Sequence, residues 1–228
     1  MKSAAIVALA ASVMLSACVS TKNVPLDSGR LASMNSQAIA FTDRAAPDFS
    51  ATKSSGVVAG SLFGVVGAVA AATVAINAGN ELVKNNQIED PSDAIAKSLT
   101  EALAASSSAR IVAAKATVGG EEIEEIIATV PDAQYIVDVR TTSWGTLYYP
   151  TDWAHYGILY GAQFRLIDAA SKEVVAQSFC FVKPEKEKGV DSPTYNELTE
   201  NGAAKLKAML SAAGEKCTNQ FRAETLKL

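Results

Sequence analysis

Residues 156–168, YGILYGAQFRLID, decide the fold class of this chain. Two sets of side chains alternate along the run, and a period of two is typical of a β-strand whose faces meet different surroundings. One set is Ile158, Tyr160, Ala162, Phe164 and Leu166, and the other is Leu159, Gly161, Gln163, Arg165 and Ile167. The remaining elements are placed outward from this strand.

Further strands and helices flank the run on both sides. The predicted strands are residues 134–143, 156–168 and 173–183, with a short one at 110–118, and the predicted helices are residues 90–106, 121–130 and a last one starting at residue 192. Turn-forming residues at 168–172 predict an antiparallel hairpin. This order predicts an α+β domain at residues 88–222, with helices covering one side of a small, mainly antiparallel sheet.

The amino terminus resembles that of a bacterial lipoprotein. Lys2 and an uncharged apolar stretch at residues 4–15 predict a signal peptide over residues 1–17. The tetrapeptide LSAC at residues 15–18 resembles the lipobox, which implies cleavage before Cys18, a diacylglycerol on its sulfur and acylation of its new amine. Several acyl chains would bind membrane lipid stably without a membrane-crossing anchor. An ordinary signal peptide with an incidental cysteine is the alternative.

Location and charge follow from the same residues. Val19 follows the lipidation site, whereas lipoproteins kept at the inner membrane typically carry aspartate there, so the analogy implies the outer membrane, with the domain facing the periplasm. Removing residues 1–17 leaves 211 residues and takes away Lys2, which changes the formal net charge from −4 to −5. A mildly acidic chain is a poor candidate for binding nucleic acid.

Two segments precede the predicted domain. Residues 18–53 are rich in polar residues and lack a sustained apolar period, which predicts a flexible lipidated tether, with a short docked helix at 34–41 as an option. Residues 54–82 predict a Gly/Ala-rich hydrophobic helix. On that helix Gly56, Gly60, Gly64 and Gly67 share one side and form a candidate helix-packing stripe, opposite a row of larger apolar residues.

The spacing of the glycines resembles the glycine zipper of small envelope lipoproteins. Three interpretations of the helix remain open: insertion in the outer membrane, packing against copies of itself, and burial against its own domain. Its length suffices to span hydrocarbon, but Ala, Gly, Ser and Thr dominate its composition, and these residues insert weakly.

The remaining cysteines predict a disulfide. Once Cys18 carries lipid, Cys180 and Cys217 form an even pair in a compartment that oxidises thiols. The period of the last helix places Cys217 on the face that covers the sheet, above the strand that carries Cys180. Two buried free thiols are the alternative. His155 is the only histidine and no Cys or His cluster exists in the sequence, so we expect no metal site and no cofactor.

The segment between the first two long strands, residues 143–155, is the candidate binding surface. It is predicted to be a loop, and large amphipathic rings on loops are typical of protein interfaces. The candidate partner-binding residues are Trp144, Tyr148, Tyr149 and Trp153. The alternatives are that rings such as Trp144 only cap the sheet end, or that the rings stack on sugars. Asp152 and His155 lie three residues apart in one loop and lack a nucleophile motif, so we do not expect a hydrolytic set.

The sequence as a whole resembles one group of proteins. The run YIVDV at residues 135–139, the aromatic residues up to Tyr160, and the late cysteines resemble a family of uncharacterised Gram-negative outer-membrane lipoproteins. The resemblance covers roughly residues 55–220 and supplies no catalytic residues. Since the sequence also lacks catalytic motifs, it predicts a non-enzymatic, membrane-anchored periplasmic protein that binds an envelope protein or a second copy of itself. The alternatives are an auxiliary subunit of an envelope secretion or transport assembly, and a cell-wall or lipid hydrolase.

Overall fold

The computed structural model describes residues 22–54, 64–185 and 191–228. The signal peptide, Cys18, Gly56 and Gly60 lie outside the described residues, so the predictions made for them stay predictions. The helices in the described ranges are α1 (Ser28–Ser33), α2 (Gly64–Asn86), α3 (Pro91–Ser107), α4 (Ile123–Thr129) and α5 (Tyr195–Gln220), followed by a π-helical turn at Phe221–Leu226. The strands are β1 (Ala38–Phe41), β2 (Asp43–Arg44), β3 (Ser50–Ala51), β4 (Arg110–Ile111), β5 (Thr117–Val118), β6 (Tyr135–Tyr149), β7 (Asp152–Asp168) and β8 (Glu173–Val182).

The main sheet confirms the α+β class. Its strands run in the order β4-β1-β6-β7-β8, and β3 adds to the edge of β6 beyond β1. The long β6-β7 and β7-β8 pairs are antiparallel, whereas β1 and β3 pair with β6 in parallel. The predicted hairpin between the last two strands is therefore present.

Strands β6 and β7 extend further than predicted. They form one long hairpin, in which Trp144 lies opposite Tyr160 and Tyr148 opposite Tyr156. The expected loop at residues 143–155 is thus wrong for all but the turn around Pro150 and Thr151. The pairing continues past two register shifts, one between Thr141 and Ser143 and one between Tyr148 and Tyr149. The backbone amides and carbonyls of this segment thus gain hydrogen-bond partners across the hairpin.

The main core lies between the sheet and the helices α3 and α5. Asp90 caps α3 by accepting a hydrogen bond from the Ser92 amide (3.0 Å), and Pro91 occupies the first turn, as the sequence predicted. From β7, one of the two alternating sets of side chains points into this core, namely Ile158, Tyr160, Ala162, Phe164 and Leu166. Its fully buried members from α3, α5 and β7 include Ile95, Leu99, Leu103, Leu206, Leu210, Tyr160, Phe164 and Leu166.

A second, smaller core lies on the opposite face of the sheet. Ile136 and Ile167 point there, away from their neighbours in the main core, and α4 covers them with Ile126. The two long helices α3 and α5 therefore share one face, and a short helix closes one end of the other face.

The predicted tether is corrected for residues 22–53. Strand β1 is hydrogen-bonded between β4 and β6, and the segment buries Met34, Ile39 and Phe49 completely. The optional helix at residues 34–41 is absent, because the last four of these residues form β1. Short parallel strands flanked by polar residues carry little periodicity, and the burial of these few side chains orders the whole segment.

Candidate functional site

The aromatic residues expected on a loop are divided between core and surface. Trp144 is buried, its ring lies edge-on to Phe49 at 4.9 Å, and its indole Nε1 donates to the carbonyl oxygen of Pro47 at 2.8 Å. Tyr149 is also buried. Trp144 thus packs the long hairpin against the amino-terminal segment, and the Tyr149 hydroxyl accepts a hydrogen bond from Ser192 Oγ at 3.3 Å. Because both rings are buried, they do not offer a binding surface.

Tyr148 and Trp153 remain at the hairpin end. Their rings meet edge to face at 6.0 Å, and a row of edge-on contacts continues through Tyr156 to Tyr195 at the start of α5. Trp153 is 54% exposed, but its Nε1 already donates to the Pro150 carbonyl at 3.0 Å. The structure thus reduces the predicted aromatic patch to Trp153 and the partly exposed Tyr148.

The single histidine lies in the same hairpin end. His155 Nδ1 is 2.7 Å from Asp152 Oδ2, and its backbone bridges to Thr194 before α5. A carboxylate in this position orients an imidazole, but hydrolysis also needs a nucleophile and an oxyanion site aligned with the other ring nitrogen. The pair itself fits a surface contact that fixes the hairpin to the start of α5.

An ionic cluster lies on the second face of the sheet. Asp138 accepts from Arg44 Nε at 2.5 Å, from Thr42 Oγ1 at 2.9 Å, and from Arg165 Nε and Nη2 at 2.9 and 2.7 Å. Burial acts to raise the pKa of Asp138, but the hydrogen bonds and charges of the two arginines outweigh it, so the pKa lies below its usual value. A carboxylate bound on both sides in this way is a structural element of the sheet.

A cleft lies between the start of α3 and the second half of α5. Its volume is about 660 Å³, and its charged lining residues are Glu89, Asp90, Lys207, Glu215 and Arg222. Asp90 also accepts a hydrogen bond from Thr141, whose hydroxyl contacts the Tyr160 hydroxyl. Burial raises the pKa of Asp90 despite these hydrogen bonds. The Asp90 carboxylate caps α3 and accepts a hydrogen bond from Thr141 of β6. These two structural contacts explain why it is buried at this position.

Helix α2 confirms the predicted helix over its described part and assigns its two sides. The small-residue side faces the protein: Ala75 is buried, and a Cβ on Gly79 would lie 2.0 Å from the carbonyl oxygen of Phe49. Gly67 is buried as well, and Gly64 begins the described helix. The described part of the glycine side, at Gly67 and Gly79, is therefore buried within the chain. Contacts of these glycines between copies of the chain stay a prediction.

Three valines of α2 are exposed to solvent. Val66, Val69 and Val74 are 79%, 62% and 66% exposed. Within the described ranges, Val66–Asn86 is the helix with the length and composition to cross a membrane, at a mean hydropathy of 1.3 and with 17% of that window buried. Exposed β-branched side chains on one helix face are a candidate contact surface.

Two exposed phenylalanines on β8 were not among the sequence-predicted site residues. Phe179 and Phe181 are 38% and 49% exposed and stack with their ring centres 6.1 Å apart. The sequence did contain a signal for them, because they alternate with Cys180, which was expected to face the helices. Cys180 is indeed joined to Cys217 of α5 by a disulfide, as predicted, and its neighbours in the strand must point to the other face.

Within residues 22–54, 64–185 and 191–228, no group of three or more His, Cys, Asp or Glu side chains that could hold a metal ion occurs.

Comparisons with known proteins give distant structural similarities. No family model and no curated protein matches the chain. A homologue of neuraminyllactose-binding hemagglutinin from Helicobacter pylori has 9% sequence identity and a TM-score of 0.37, covering 82% of this chain and 83% of its own. The hypothetical protein CT253 from Chlamydia trachomatis has 8% identity and a TM-score of 0.34, covering 82% and 94%. The lipoprotein GNA1162 from Neisseria meningitidis has 15% identity and a TM-score of 0.27, covering 80% and 99%.

Proposed function

We propose that this chain is a lipid-anchored, non-catalytic lipoprotein of the outer membrane that works in the periplasm as a scaffold, with helix α2 as its contact surface for protein. The observation that carries the proposal is the exposed apolar side of α2. Among the large apolar side chains of the described residues, Val66, Val69 and Val74 are the most exposed. A contiguous exposed apolar patch on a soluble surface favours a partner.

The partner best suited to this side of α2 is protein rather than lipid. At 100° per residue, Thr73 and Asn77 share the face with the three valines. The Thr73 hydroxyl already donates to the Val69 carbonyl at 3.1 Å, but an amide such as that of Asn77 is costly in hydrocarbon unless it finds a partner. Another copy of the same helix would supply both valines and an amide.

Replacement of the valines by serine tests this contact. Cross-linking in intact cells should capture a dimer of the unaltered protein. The variant V66S/V69S/V74S should lose this dimer, because the apolar area between helices is removed. A68S/A72S is the matched control: it adds the same hydroxyl groups to exposed positions of the same helix, outside the valine face. Cross-links that persist unchanged in the valine variant would contradict the proposed contact.

Attachment to lipid is tested separately. Metabolic labelling with a fatty acid should mark the mature protein, and the variant C18S should lose the label and leave the membrane fraction. An unlabelled mature protein, or a C18S protein that stays in the membrane like its parent, would show that the lipobox resemblance is misleading.

A further inference from the structure

The amino-terminal segment is fixed to the outer edge of β8. Val24 pairs antiparallel with Gln177: the Val24 amide donates to the Gln177 carbonyl at 2.8 Å, and the Gln177 amide donates back at 3.0 Å. Two residues later, the Leu26 amide donates to the Thr225 carbonyl at 2.7 Å, and the Leu26 side chain is buried. Val24 and Leu26 are therefore both hydrogen-bonded to the domain.

The direction of this pairing decides where a lipid on Cys18 must be. Because the pair is antiparallel, the described residues before Val24, Asn23 and Lys22, run past Gln177 in the direction of Phe179. Six residue steps separate Cys18 from Val24, so their Cα atoms can be at most about 22 Å apart even in a fully extended chain. A domain of this size is about 40 Å across. The acyl chains can therefore reach the β8 side of the domain and not the far side.

Phe179 and Phe181 are the exposed apolar groups on that side. They stack on each other, and the Phe181 ring lies against the backbone at Gly161, where a Cβ would be 3.2 Å from its Cδ2. The exposed Lys183 follows Phe181 by two residues, and the exposed Lys22 precedes Val24, the residue paired with β8, by two residues. Rings backed by the sheet, with lysines whose stems can lie on apolar surface, have the composition typical of a protein surface at the lipid-water boundary.

We propose that the β8 edge, with Phe179 and Phe181, rests on the bilayer to which Cys18 is anchored, so that the domain is held in one orientation against the membrane. This inference rests on the proposed lipid attachment and adds the face that the domain presents to lipid. The contact is apolar and interfacial. It leaves α2, which packs on β3 beyond the opposite edge of β6, available for a protein partner.

Tryptophan fluorescence of the lipidated mature protein tests the orientation. The variants F181W and F179W each place a reporter on the β8 edge, and I111W is the matched control, because Ile111 is 46% exposed on β4 at the opposite edge of the sheet. The proteins are reconstituted in vesicles of phosphatidylethanolamine and phosphatidylglycerol with brominated acyl chains. The signal of Trp144 and Trp153 is subtracted with the parent protein. Bromine should quench most of the added fluorescence in F181W and F179W and leave I111W unquenched.

Each outcome bears on the proposal. Quenching that is absent from both β8 variants, or equal in I111W, overturns the proposed orientation. An intact Cys180–Cys217 disulfide and an unchanged circular dichroism spectrum show that each variant is folded. If F181W does not fold, F179W alone reports on the β8 edge. If the fatty-acid label on Cys18 is present while quenching is absent, only the orientation is wrong. If the label itself is absent, both the orientation and the lipid attachment are overturned.

Discussion

Asp138 shows how one residue organises the second face of the sheet. Its carboxylate is almost completely buried, and it joins Arg44 from β2 to Arg165 from β7. Arg44 also donates to the Gly120 carbonyl at 2.9 Å, and Arg165 to the Glu121 carbonyl at 3.2 Å. One carboxylate thus positions the segment that leads into α4, which closes the smaller core.

Removal of this charge should destabilise the fold strongly. In D138N the two guanidinium groups lose their counter-charge while they stay largely buried, and breaking such a buried pair costs about 3–5 kcal/mol. Urea unfolding at neutral pH measures the loss. D132N is the control, because Asp132 pairs with Lys115 in solvent, and exposed pairs contribute no more than about 1 kcal/mol. Equal losses in the two variants would contradict the role given to Asp138.

The same group predicts a dependence on pH. Because the pKa of Asp138 is lower in the folded state than in the unfolded state, its contribution is complete above the unfolded pKa of about 4 and is lost as the pH falls toward the folded value. The free energy of unfolding of the parent protein should therefore fall on acidification below about pH 4. D138N should lack this part of the decrease. Parallel pH curves for the two proteins would contradict the prediction.

At the scale of elements, Gly79 is the point where α2 docks on the sheet. A Cβ there would be 2.0 Å from the Phe49 carbonyl oxygen and 2.9 Å from the Ala51 amide nitrogen, both of them backbone atoms that cannot rotate away. Alanine normally stabilises a helix over glycine by about 1 kcal/mol. In G79A we expect the opposite sign, a loss of about 1–3 kcal/mol, because α2 must move away from β3. N77A, at an exposed position of the same helix, is the control in thermal unfolding, and a G79A protein at least as stable as the parent would contradict the docking contact.

The disulfide links β8 to α5. Cys180 and Cys217 are 37 residues apart in sequence, and closing a loop of that size stabilises the folded state by about 4 kcal/mol on a chain-entropy basis. Reduction under native conditions, or the pair of substitutions C180S and C217S, should lower the midpoint of urea unfolding accordingly. A thiol titration that finds two free thiols in the unfolded, non-reduced protein would show that the bond does not form.

The sequence predicted those elements whose signals are local. The Asp90-Pro91 cap defined the start of α3, and the period of two defined β7. The hairpin end at residues 143–155 was missed because Gly145 is typical of loops, whereas Gly157 already lay in the predicted strand at 156–168. In the structure both are strand residues that permit close approach, since a Cβ on Gly145 would lie 2.3 Å from the Ser50 carbonyl oxygen, and one on Gly157 would lie 2.7 Å from Pro184 Cβ. Such approaches depend on distant segments, which periodicity cannot show.

For the whole molecule, the main difference from expectation is that the fold begins near residue 24 instead of residue 88. The polar composition of residues 18–53 predicts a tether. Their few apolar side chains are nevertheless buried in the main core, where they complete the β6 edge of the sheet. Strands β1 and β3 have four and two residues, which is too short to show an alternation of apolar and polar side chains in the sequence. They can be identified only once their partner strand β6 is known.

Truncation distinguishes an integral amino-terminal segment from a tether. A chain that starts at Lys22 keeps all the packed residues of this segment and should unfold cooperatively like the mature protein. A chain that starts at residue 55 loses Met34, Ile39 and Phe49, each of which is completely buried. Since a large buried side chain contributes about 2–5 kcal/mol and a domain has about 5–15 kcal/mol of net stability, the shorter chain should lack a cooperative transition. A well-folded chain from residue 55, with a melting curve like that of the longer one, would mean that β1 and β3 are accessory and that the first part of the molecule is a tether after all.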